Sequence, residues 1–109
     1  VKLLSDLKEI RQLVYNNRVV VIAYLGNNER LNNYVIRVLR ELEDVSKSLI
    51  TYGSYKVGEE LDDTVVVVYV DGREVLEQRT YFMKLELDVV ALKMGIRDVM
   101  SSLGLKTPF

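Results

Sequence analysis

The sequence predicts one α/β domain: an N-terminal helix, then βαβ, then ββα, giving a four-stranded mixed sheet with helices on both faces. Three observations predict it. Residues 19–24, Val-Val-Val-Ile-Ala-Tyr, form a β-branched run without alternation, as a strand buried on both faces does. Leu31, Tyr34, Val35, Val38, Leu39, Leu42 and Val45 form one stripe at helical spacing, with Arg37, Arg40, Glu41 and Asp44 opposite. Asp71-Gly72 separates two strand-like runs, a two-residue signal for a tight hairpin.

The elements follow in order. Leu3, Leu7, Ile10 and Val14 recur at helical spacing, with Ser5 or Asp6 as cap and Asn16-Asn17 as stop, so a first helix is expected there. The central strand, 19–24, leads through Gly26 to Asn27 and Asn28, either of which can cap the long second helix. A short strand at 49–52 completes a βαβ unit whose strands should run parallel. Residues 53–63 read as a loop, with two glycines and the acidic cluster Glu59, Glu60, Asp62, Asp63. A strand at 64–70 turns back through Asp71-Gly72 into an antiparallel strand at 74–82. Leu85, Val89, Leu92, Ile96, Val99 and Leu103 line one face of a last helix, with Gly104 just past its end and Pro108 beyond.

Composition narrows the chemistry. At 109 residues and 49% apolar content, residues 1–109 suit a single domain with one core. Fifteen basic residues nearly cancel sixteen acidic ones, which leaves no electrostatic footprint for nucleic acid. The longest apolar stretches fall far short of the roughly 20 residues a membrane helix needs. The first residues lack the pattern of a signal peptide, so no membrane role and a cytoplasmic location are expected. The chain has neither cysteine nor histidine. Disulfides, thiolate nucleophiles, zinc-thiolate sites and Ser-His hydrolysis are thereby excluded, and carboxylate, lysine, tyrosine or threonine chemistry remains open.

The order of elements resembles the thioredoxin fold in its smaller, glutaredoxin-like form. In that family an apolar strand ends in an aromatic residue, and a cysteine-x-x-cysteine motif then opens the long helix. Residues 19–24 and the stripe from Tyr34 to Leu42 resemble these parts, which places Glu29 and Asn32, within Glu29-Arg30-Leu31-Asn32, at the two cysteine positions. Further on, the run from Asp63 to Val75 resembles the family's cis-proline, threonine, strand, Asp-Gly turn and returning strand, with Asp63 in place of the proline. The acidic loop stands where full-length thioredoxins have a helix, and Ala23 where many keep a buried aspartate. The resemblance thus implies the fold without its redox chemistry, since no carboxylate or amide can form a mixed disulfide. Relatives that resemble phosducin, and a spliceosomal thioredoxin-like component, use the fold in this way.

On that resemblance the expected function is a non-catalytic protein–protein interaction or scaffold module without a cofactor. Its interaction surface would lie at Asn28, Glu29, Asn32, Asp63 and Thr64, and its partner would be a protein. Capping of the helix by the asparagines, with Glu29 in the first turn, accounts for the same residues without any ligand. Two further functions fit the composition: a carboxylate-dependent enzyme using Glu29 and Asp63, and a structural subunit of a larger assembly. The acidic cluster matches no calcium loop, so a solvated surface rather than a metal site is expected. The strand at 74–82 should form a sheet edge that a homodimer could use, although Glu74, Glu77 and Arg79 discourage strand addition. Of the seven tyrosines, Tyr24, Tyr34, Tyr52, Tyr69 and Tyr81 are expected in core or half-buried positions, and Tyr55 exposed in the acidic loop.

Overall fold

A computed structural model describes residues 1–109. The β-branched run forms β2 (Val19–Leu25), the centre of a five-stranded sheet completed by β1 (Lys2–Leu4), β3 (Thr51–Lys56), β4 (Val65–Val70) and β5 (Arg73–Gln78). Strand order is β1-β3-β2-β4-β5. β2 runs parallel to β3, and β3 parallel to β1; β4 is antiparallel to both β2 and β5. The helices are α1 (Leu7–Asn16), α2 (Glu29–Ser46) and α3 (Leu85–Ser102).

β2 has helices over both faces, which explains its unbroken apolar sequence. Val19, Val21, Ala23 and Leu25 point into the larger core with Val35, Val38, Leu39 and Leu42 of α2 and Leu92, Ile96 and Met100 of α3. Val20 and Ile22 point the other way, onto Ile10 and Leu13 of α1. Residues 57–64 contain no helix, so α1 alone covers the second face. Asp71 and Gly72 both take positive φ, 51° and 80°, as the hairpin turn between β4 and β5 requires. No helix is long and apolar enough to cross a membrane.

Several boundaries differ from the sequence reading, each for a tertiary reason. The sheet has five strands rather than four: Leu3 belongs to β1 and is exposed, and α1 starts at Leu7 with Asp6 as its cap. β1 exists because the edge of β3 supplies partners, Lys2 to Gly53 and Leu4 to Tyr55. β3 begins two residues later than expected and extends through Gly53, Ser54 and Tyr55 to Lys56. Gly53 belongs in this strand, since a Cβ there would lie 2.9 Å from Leu4 Cδ1 and 3.1 Å from Leu13 Cδ2. Tyr55 is consequently half-buried, its ring edge-on to Tyr24 at 6.4 Å, and Tyr15 on α1 is the exposed tyrosine. β5 starts one residue early and ends at Gln78, leaving Phe82 exposed in the connection to α3.

Candidate functional site

At the end of β2 the chain turns through Gly26 and enters α2. Asn28 is the cap: its side-chain oxygen accepts from Leu31 N at 3.1 Å, satisfying one of the free amides of the first turn. Glu29 follows on the surface and pairs with Lys56 of β3. The hydrogen bond and charge of that lysine hold the Glu29 carboxyl below its ordinary range.

One turn on, Asn32 points inward and is only 2% exposed. Its amide oxygen accepts from Gly26 N at 3.1 Å and from the Thr64 hydroxyl at 2.6 Å. Its amide nitrogen donates to Gly26 O at 2.8 Å and reaches Glu29 Oε1 at 3.4 Å. Both donors and both acceptor positions are therefore used, and no buried side-chain polar atom in the chain lacks a partner. Thr64, fully buried, precedes β4, and its carbonyl accepts from the Tyr81 hydroxyl at 2.8 Å.

The loop before Thr64 lies directly on the turn after β2. Asn27 N donates to Leu61 O at 2.9 Å and Asn28 N to Asp62 O at 3.2 Å, while the Asn28 side chain reaches Asp63 Oδ1 at 3.4 Å. The approach is close enough that a Cβ on Gly26 would fall 2.4 Å from Leu61 O and 2.7 Å from Asp62 O. Every peptide bond is trans, including that between Asp63 and Thr64. The Leu61 and Asp62 carbonyls are thus already bonded within the chain.

Of the five residues singled out from the sequence, the fold brings all together, in two layers. Asn32 and Thr64 form a buried latch; Asn28, Glu29 and Asp63 form an exposed polar rim above it. Glu29 and Asp63 are both exposed to solvent. Nowhere do three carboxylates converge on a point that would hold a metal ion. The sequence reading missed Asp88 at the start of α3. It is fully buried and accepts from Phe82 N and Met83 N, each at 3.0 Å, and from the Tyr34 hydroxyl. Its only sequence signal is a carboxylate in the first turn of a helix, the position that answers free amides. A surface groove of about 820 Å³ lies away from these residues, between α1 and the β4–β5 turn.

The sequence matches no family model and no curated protein. Solved structures do match. A thioredoxin from Plasmodium falciparum superposes with a TM-score of 0.71 at 15% identity, covering 90% of this chain and 98% of that one. The chain has the thioredoxin fold. A thioredoxin from Malassezia sympodialis gives 0.69 at 13% identity, covering 89% of this chain and 90% of its own. A designed protein gives 0.71 at 18%, covering 91% of each. At these identities the likeness is one of fold, and this chain has no cysteine. Thiol–disulfide exchange has no nucleophile here, because the attacking species is a thiolate.

Proposed function

We propose that the chain is a non-catalytic interaction module of the thioredoxin fold, docking a protein partner on the rim of Asn28, Glu29 and Asp63 above Asn32 and Thr64. The observation that carries this reading is the state of Asn32. At the start of α2 the chain presents an amide whose hydrogen-bonding capacity is spent on Gly26, Glu29 and Thr64, so the position holds two loops together and offers no reactive group. What remains accessible above it is a fixed set of polar side chains on a rigid helix end, suited to recognition. The internal use of the Leu61 and Asp62 carbonyls favours contact through side chains over strand addition.

The test compares the native chain with a Glu29→Arg, Asp63→Arg variant as bait in lysate of the source cell, after circular dichroism has established that the variant folds. Proteins recovered by the native chain and lost by the folded variant would support docking at the rim. The same proteins on both baits would place binding elsewhere and refute this assignment.

A further inference from the structure

Helix α3 is apolar on two sides. Leu92, Ile96 and Met100 are buried in the core, but on the opposite side Leu87, Val90 and Met94 recur at i, i+3 and i+7 and stand 47%, 49% and 48% exposed. Val45 of α2, also half exposed, borders the same patch across a shallow groove with Pro108 and Phe109. Charged residues flank the stripe in a definite order: Glu86 near the helix start, then Lys93 and Arg97, all on one side at spacings of seven and four.

We infer that this face pairs with the same face of a second copy of the chain, the two α3 helices lying antiparallel about a two-fold axis between Val90 and Ala91. Leu87 and Met94 lie at equal distances on either side of that point, so Leu87 of each copy meets Met94 of the other, and the two Val90 side chains meet beside the axis. The charges select the direction. Antiparallel packing sets each Glu86 beside Lys93 and Arg97 of the other copy, and it opposes the two helix dipoles. Parallel packing would set Glu86 against Glu86 and Arg97 against Arg97. An isologous contact of this kind closes on itself and leaves no further face to propagate. Specific interfaces cover about 800 Å² on each partner. One helix face with its flanks is smaller, so a dimer dissociating in the micromolar range is expected. The surface is separate from the rim at the start of α2.

Sedimentation velocity on the whole chain between about 1 μM and about 1 mM tests the pairing. The native chain should pass from monomer to dimer, Val90→Arg should stay monomeric, and Glu86→Lys should weaken association about tenfold or more. The triple variant Glu86→Lys, Lys93→Glu, Arg97→Glu restores opposite charges in the antiparallel arrangement, so it should self-associate like the native chain while failing to mix with it. That recovery also separates lost pairing from lost folding. A native chain that stays monomeric throughout, a dimer indifferent to Val90→Arg and Glu86→Lys, or a triple variant that pairs with the native chain rather than with itself would overturn the inference.

Discussion

The Thr64 hydroxyl donates to Asn32 Oδ1 at 2.6 Å, joining the loop before β4 to the first turn of α2 across 32 positions of sequence. Because Asn32 also holds both main-chain groups of the buried Gly26, the two partners should differ in cost. Asn32→Ala strands an N–H, a carbonyl and a hydroxyl away from water, for a loss of about 3 kcal/mol, whereas Thr64→Val removes one bond and costs about 1 kcal/mol. Urea denaturation of both variants measures the difference. Equal losses would mean that Asn32 contributes through Thr64 alone.

Gly26→Ala should be costlier than its size suggests. The added methyl would meet the Leu61 and Asp62 carbonyls at 2.4 and 2.7 Å, and main chain cannot swing aside as a side-chain tip does. The two loops must separate, breaking the bonds from Asn27 and Asn28. A loss of at least about 2 kcal/mol is expected, with faster hydrogen exchange at the amides of Asn27 and Asn28. Unchanged exchange there would show that the loops accommodate a methyl group.

A double variant, Glu29→Cys with Asn32→Cys, should form a disulfide. Residues three apart in a helix have Cα atoms about 5 Å apart, within the range a disulfide spans, and the helix start lowers a thiol pKa. Glutathione buffers should oxidise the pair, and thiol titration reads the equilibrium. The variant should also denature more readily than its parent, because the Asn32 latch is gone. A pair that stays reduced in oxidised glutathione would contradict the geometry of this turn.

Alkali should unfold the chain through its tyrosines. Burial pushes the Tyr52 hydroxyl from 10.0 up to about 12, against a smaller opposing effect of its bond with Ser46. Burial raises Tyr24, Tyr34 and Tyr81 as well, helped by the hydroxyl of Tyr69 at Tyr24 and by the carboxylate of Asp88 at Tyr34. Above pH 10 the unfolded chain releases protons that the folded chain keeps. Stability therefore falls as pH rises, by roughly 1.4 kcal/mol per unit for Tyr52, until the folded group ionises too. Tyrosinate absorbance should show a late, steep component that coincides with loss of circular dichroism. Seven tyrosines all ionising gradually near pH 10, with the fold intact, would contradict the burial described.

The parts legible in advance share a property: their signal lies within a few neighbouring residues. The β-branched run of β2, the stripe of α2, an asparagine cap at residue 27 or 28 and the Asp71-Gly72 turn each express a local period or a local backbone demand. What was misread had a local signal that pointed the wrong way. Leu3 continued the spacing of α1, and Gly53 read as a loop marker although it makes room in β3 for Leu4 and Leu13. At the candidate site the residue types were readable, but not the division between the buried latch and the exposed rim.

The sequence alone therefore determined that this is an α/β chain without thiol chemistry, because composition and periodicity suffice for both. Only the tertiary structure decided that a fifth strand forms, that Asn32 and Thr64 are sealed together beneath Asn28, Glu29 and Asp63, and that Asp88 ties α3 to Tyr34. The physical reason is the same in each case. A free strand edge, a buried amide and a satisfied carboxylate are defined by partners tens of residues away, and no local pattern records which partner will arrive.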